Sequence, residues 1–319
     1  MIKSYKILKL SLLATIAVVV LQGNEIDNLD DDSKMHRFLL QKIDKIDADA
    51  KSLIERYLSS DFGLYAYKTN YILPFSSSLT KYPYWSENGI VSDSQTYNKK
   101  YEAEFQISLR KPLSFNLLGL NEAVIFAYTQ KVWWQIYSPS SPFRETNYEP
   151  EIFITFPTPE NIDKISGLKG VRLGFVHESN GRSKLQSRSW NRIYLGSMWQ
   201  SGNLFTYFRM WHRIQEDDKV SPTDLNGDDN PDITDYMGYG DISISYLYKK
   251  QQFSLLLRNN LHFNDNKGAL IVDWSLPLPY AKDSFWYVKF FSGYGESLID
   301  YNRHVDKVAL GFSFSRGLF

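Results

Sequence analysis

From about residue 62 to the C-terminus, apolar and polar side chains alternate one for one in segments of about ten residues. In 101–110, Tyr101, Ala103, Phe105, Ile107 and Leu109 interleave with Glu102, Glu104, Gln106, Ser108 and Arg110. Val124, Phe126, Tyr128, Gln130, Val132, Trp134 and Ile136 form one face of another segment, and Ile242, Ile244, Tyr246 and Tyr248 one face of a third. Successive strand residues point to opposite sides, so each segment has one apolar and one polar face. Strands of a soluble sandwich usually run about five or six residues. A tilted strand that crosses a bilayer needs about ten. In hydrocarbon every backbone N–H and C=O must be paired within the protein, and a closed barrel without edges achieves this. About twelve such segments occur, an even number, ending with Val308, Leu310, Phe312 and Phe314. Phe319 then ends the chain out of parity with that set. The pattern predicts an all-β fold, a 12-stranded antiparallel transmembrane β-barrel over residues 62–319. Trp133, Trp134, Trp190, Trp211, Trp286 and Tyr287 lie near segment ends, where interfacial aromatic girdles are expected.

Composition narrows the function. Lys plus Arg is 36 and Asp plus Glu is 36, a balance that argues against nucleic acid as a partner. No cysteine is present, which excludes disulfides, thiolate metal sites and a cysteine nucleophile. Lys3, Lys6 and Lys9 precede a short apolar run ending near Leu21-Gln22-Gly23, the layout of an export signal over residues 1–23. In 24–61, Leu39, Leu40, Ile43, Ile46, Leu53, Ile54 and Tyr57 recur at spacings of three and four, which predicts an amphipathic helical extension.

Polar residues on the lipid-facing parity are the anomaly. In 171–179, Val171, Leu173 and Phe175 share a face with His177 and Ser179. In the next segment Asn191 shares a face with Ile193 and Leu195. An unpartnered polar group facing hydrocarbon costs several kcal/mol. Either the three are wetted at the interface, or they are a nucleophile, a base and an orienting group on the outer wall. Arg172, Arg192, Arg209, Arg213, Glu102 and Glu104 fall on lumen-facing sets and read as an ion network filling a narrow barrel. His212 has outward parity without a nameable partner.

The run His177-Glu178-Ser179-Asn180-Gly181-Arg182-Ser183, with Ser187-Arg188-Ser189-Trp190-Asn191-Arg192 after it, resembles the outer membrane phospholipase A family of Gram-negative bacteria. Tyr128-Thr129-Gln130-Lys131, the run 140–150, Asp228-Asp229-Asn230-Pro231-Asp232-Ile233 and the run 292–301 agree with it. The resemblance implies a twelve-stranded barrel that hydrolyses acyl esters of phospholipids and lysophospholipids, requires calcium and works as a homodimer. It implies an outer-membrane location with the site toward the external leaflet. It makes Ser179 the nucleophile, His177 the general base and Asn191 the orienting residue, with the Gly181 N–H as oxyanion donor. It places calcium at the Arg182 carbonyl, the Ser187 hydroxyl and the carbonyl of Ser140 from a second copy, with Asp229 as an associated acid. Gln130 is implied in the dimer interface. Lys184 stands where the family often has Asp, a cation that should weaken a carboxylate-based calcium site in the monomer.

Two alternatives remain at this stage. Asp224-Leu225-Asn226-Gly227-Asp228 sits in an acidic loop (217–235) whose spacing is that of a calcium loop's opening, although the later glutamate is missing. A solvated acidic turn is the preferred reading, with extra calcium capture as the alternative. A non-catalytic porin or structural barrel, with the His-x-Ser pair incidental, is the competing function.

Overall fold

The computed structural model describes residues 63–86, 89–91, 99–221, 224, 226–281 and 283–318, with isolated residues between 42 and 51. The expected export signal, nearly all of the expected helix over 24–61 and the terminal Phe319 lie outside the described residues.

Twelve strands make the barrel: β1 (Tyr71–Ser78), β2 (Tyr101–Phe115), β3 (Ala123–Trp134), β4 (Phe143–Pro157), β5 (Leu168–Ser179), β6 (Ser189–Ser201), β7 (Leu204–Ile214), β8 (Gly240–Tyr248), β9 (Gln251–Asn259), β10 (Gly268–Pro277), β11 (Phe285–Gly293) and β12 (Val305–Ser313). Each pairs antiparallel with its successor, and β12 pairs with β1. The sheet therefore closes without an edge, as the alternation requires in a membrane. Connections at one end are the shorter set, two residues at 202–203 and 249–250 and at most ten at 158–167, which carries a short helix, Glu160–Ser166. At the other end residues 79–100, 180–188, 215–239 and 294–304 form long connections. The start of β1 and the end of β12 share the shorter-connection end, which in single-chain outer-membrane barrels faces the periplasm.

The period of two survives as inside against outside. On β5, Leu173 and Phe175 are exposed while Arg172, Gly174 and Val176 are buried. The lumen is filled by ion pairs and rings. Arg144 binds Glu102 at 2.9 Å, Asp300 at 2.7 Å and Glu296 at 3.2 Å. Lys307 bridges Glu102 (3.0 Å) and Glu104 (3.1 Å). Arg209 pairs with Asp241 at 2.6 Å and Arg192 with Glu178 at 2.8 Å. Arg172 lies 4.0 Å over the Phe153 ring and donates to Tyr67 Oη at 3.1 Å. A cavity of about 230 Å³ remains inside, bordered by Lys131, Glu149, Arg209 and Lys289. This packed interior opposes the porin alternative, which calls for an aqueous channel.

The expected girdle needs correction. Trp133 and Trp190 are only 1% exposed, and Trp211 and Tyr287 are equally inward, whereas Trp286 is 40% exposed. Parity decides this: Trp190 precedes the outward Asn191, so its side chain must enter the lumen. Those four rings are core, and among the six only Trp134 and Trp286 lie on the lipid side.

Candidate active site

β5 and β6 carry the outward polar residues and are locked in register from Val171↔Ser197 to Ser179↔Ser189. The lumen side of this hairpin is built to hold it. Gly174 lies opposite Tyr194, and a Cβ there would come within 2.4 Å of the Tyr194 ring. The tyrosine therefore lies flat across β5 only because position 174 has no side chain. Nearer the rim, Glu178 points inward between His177 and Ser179. Its Oε2 accepts from Trp190 Nε1 at 2.9 Å and from Arg192 Nη2 at 2.8 Å. Arg192 stacks 3.8 Å from the Trp190 ring, which meets Trp211 edge-on at 6.3 Å. The wall behind the outward pair is thus a closed charge and ring assembly.

On the outer face His177 and Asn191 are directly opposite, and His177 Nδ1 lies 2.9 Å from Asn191 Oδ1. An amide oxygen only accepts, so Nδ1 carries the proton and Nε2 keeps its lone pair. Ser179 is two residues along the same face, about 7 Å away Cα to Cα by strand rise. Its hydroxyl makes no hydrogen bond among the described residues, so the structure joins His177 to Asn191 but leaves the Ser179–His177 contact open. Catalytic hydrogen bonds are often long before substrate arrives.

A third polar contact was not legible from the sequence. Asn191 Nδ2 donates to Glu216 Oε1 at 2.9 Å. Glu216 lies just past β7, whose Ile214 is paired with Asn191. Burial holds its carboxyl above the usual carboxylate range, with Asp228 and Asp229 adding to the rise and Arg213 opposing it.

The connection 180–188 is pinned by Asn180, which is buried. Its Oδ1 accepts from Arg188 N at 3.0 Å and Arg182 N at 3.3 Å, and its Nδ2 donates to Gln186 O at 2.8 Å. Gly181 adopts φ +64°, and a Cβ would sit 3.1 Å from the Tyr148 ring. Its N–H is free of intramolecular hydrogen bonds among the described residues. Arg182 turns its guanidinium to Glu145 (3.1 Å) and Gln186 (2.7 Å).

Ser187 Oγ donates to Asp229 Oδ2 at 2.5 Å, and the ammonium of Lys219 pairs with the other oxygen of the same carboxylate. The cation on Asp229 is thus Lys219, from the long 215–239 connection. Ser140 is exposed in the 135–142 connection with φ +58°. Among the described residues of the acidic loop, no group of three acids gathers as calcium ligands. Asp224 caps Ser221 N at 2.9 Å, and Asp228 is held by Arg213 at 2.6 Å. Gln130, Tyr148, Ser179 and Ser189 occupy directly opposed positions on four consecutive strands. Gln130 Oε1 accepts from Tyr128 Oη at 3.1 Å. His212 lies on the outer face opposite Ile193, and among the described residues it makes no hydrogen bond or ion pair with the other site residues.

A closed twelve-stranded membrane barrel with an outward His–Asn pair and a serine beside it defines an outer-membrane lipolytic barrel. Sequence comparison fixes the family. The phospholipase A1 profile matches residues 50–314. Phospholipase A1 of Escherichia coli is 38% identical over 258 residues, 78% of this chain and 81% of that protein. The Salmonella typhimurium protein is 39% identical over the same length and shares. The chain belongs to the phospholipase A1 family. Among solved structures, outer membrane phospholipase A from E. coli superposes with a TM-score of 0.67 at 36% identity, covering 84% of this chain and 98% of that one. A calcium-bound dimer of the Salmonella typhi protein gives 0.68 at 37% identity, with the same coverage. A third match, TM-score 0.67 at 35% identity over 86% of this chain and all of that one, is an active-site mutant of the E. coli protein with an asparagine replaced by alanine.

Proposed function

We propose that the protein is a calcium-dependent, serine-type phospholipase that cleaves phospholipid and lysophospholipid acyl esters from the outer wall of its barrel. The observation that carries this reading is the 2.9 Å contact between His177 and Asn191 on a face otherwise given to lipid. Ser179 attacks the acyl carbonyl while His177 Nε2 takes its proton. The free Gly181 N–H is available to the oxyanion, and His177 then returns the proton to the departing lysolipid alcohol. Water activated by the same imidazole releases the fatty acid and restores Ser179. Asn191 holds the imidazole in the tautomer this sequence needs.

Oxygen donors for calcium stand beside this machinery. Ser187 Oγ and the Asp229 carboxylate converge, and that carboxylate already holds a cation, the Lys219 ammonium. The donor set fits a hard divalent ion. The Arg182 carbonyl, Ser187, Asp229 and the carbonyl of Ser140 from a second copy are the groups assigned to it. Bound there, calcium supplies charge stabilisation to the developing oxyanion. Dimer formation is supported by the calcium-bound dimer of the S. typhi relative and by the placement of Gln130. Gln130 lies level with Ser179 and two strands away, about 10 Å by strand spacing. A seam at Gln130 would flank the site with a second barrel and bring its Ser140 connection close. The site lies at the long-connection end, which supports action at the external leaflet. Export is assigned to residues 1–23 and a helical extension to 24–61.

Fatty-acid release from phospholipid micelles tests the reading. Release should need calcium, stop with chelator and fall at least about a thousand-fold in Ser179→Ala. Unchanged release by that variant would overturn the catalytic assignment.

A further inference from the structure

Asparagine is a poor third member for a hydrolytic triad, because it carries no charge to balance the imidazolium that forms when His177 takes the serine proton. Its amide can also flip. Turned round, the NH₂ would face His177 Nδ1 and favour the tautomer with the proton on Nε2, which cannot act as a base. Something must hold the Asn191 amide with its oxygen toward the histidine. Glu216 is placed to do so: Asn191 Nδ2 donates to its Oε1 at 2.9 Å. A flipped amide would set oxygen against carboxylate, so the flip is opposed by direct repulsion.

We propose that Glu216 is a positioning residue of the hydrolytic site, a fourth member behind Ser179, His177 and Asn191 that locks the Asn191 amide and supplies the negative charge asparagine lacks. The surroundings keep that carboxylate for the task. Arg213, the nearest base along β7, is bound to Asp228 at 2.6 Å. Lys219 is bound to Asp229. Among the described residues no ion pair to Glu216 forms; Arg213 acts on it only from a distance. The raised carboxyl described above agrees with a partly buried acid beside two other acids and no paired base. The relay then runs Ser179, His177, Asn191, Glu216, with the charge one residue further out than in a Ser-His-Asp site.

The proposal rests on the hydrolase reading, and the experiment separates the two. In full-length protein, kcat and KM on micellar phospholipid are measured against pH for Glu216→Gln, Glu216→Ala and Ser179→Ala, and for Asn191→Asp with and without Glu216→Gln. Glu216→Gln and Glu216→Ala should lower kcat roughly ten-fold with little change in KM. The acid limb of kcat should move down by roughly half a pH unit as the nearby negative charge is lost. In Asn191→Asp two carboxylates meet, so adding Glu216→Gln should raise kcat there, the reverse of its effect in the parent. Wild-type kcat and pH profile in both Glu216 variants, or a loss of kcat matched by unfolding with no movement of the acid limb, overturns the role of Glu216. So does a Glu216→Gln effect of the same sign in both backgrounds. Activity surviving in Ser179→Ala overturns the hydrolase reading itself.

Discussion

His177 and Asn191 sit directly opposite each other on β5 and β6, with Nδ1 2.9 Å from Oδ1, on the wall that the same strands otherwise give to Leu173, Phe175, Ile193 and Leu195. The contact fixes the tautomer that leaves Nε2 free. Asn191→Ala removes that constraint while sparing nucleophile and base. Its kcat should fall about 10²-fold with KM nearly unchanged, read from micellar fatty-acid release. A loss confined to KM would contradict an orienting role.

The inner buttress makes a separate prediction. Glu178 accepts from Trp190 and Arg192, and Arg192 is buried. Glu178→Ala leaves that guanidinium without its nearest acid, and removing one partner of a buried pair costs about 3–5 kcal/mol. Thermal unfolding in detergent should show a clearly lowered midpoint, with activity falling as register loosens. An unchanged midpoint would mean Arg192 re-pairs, with Glu149 3.9 Å away as the acid in reach.

Gly174 is tested by addition. A Cβ would stand 2.4 Å from the Tyr194 ring, so Gly174→Ala must displace the tyrosine. Overpacking of this kind costs about 1–3 kcal/mol. Folded-barrel mobility on unheated gels at rising temperature reports it, and the variant should unfold at a lower temperature than the parent.

Lys219 bears on metal affinity. Its ammonium pairs with Asp229, so a cation arriving at that carboxylate must displace it. Lys219→Ala should bind calcium several-fold more tightly by direct titration calorimetry. Equal affinity would show that Asp229 takes no part in the calcium site.

Glu216 gives a stability test with a definite sign. Its carboxyl is raised, first by burial and then by Asp228 and Asp229, so the folded protein binds that proton more tightly than the unfolded chain. Stability from this group therefore grows as pH falls through the raised value and is lost as pH rises past it. Glu216→Gln at neutral pH should keep or raise the unfolding midpoint even as turnover drops. A lowered midpoint would assign the residue to structure instead.

Much of this was readable before any coordinates, for physical reasons that also mark the limit. Period two fixes which side of a wall each residue occupies, so the shared face of His177, Ser179, Asn191 and Gln130 follows from parity alone. The same rule applied to Trp133, Trp190, Trp211 and Tyr287 places them in the lumen; reading them as a girdle used their position along the strand and ignored their face. Parity ends where the strand ends. Glu216 and Lys219 lie in the 215–239 connection, and their partners Asn191 and Asp229 are brought near by the path of that connection, which no local pattern encodes. Asn180 carries a weaker signal, since an Asn-Gly pair commonly marks a turn.

The central claim is that a reactive serine stands on the lipid-facing wall beside His177. It is tested most directly by treating the protein in micelles with a serine-directed sulfonyl fluoride, with calcium or with chelator, and mapping the adduct by mass spectrometry. The account predicts stoichiometric modification at Ser179, dependent on calcium and lost in His177→Ala. Modification at another serine, or equal labelling of Ser179 in His177→Ala, would contradict it.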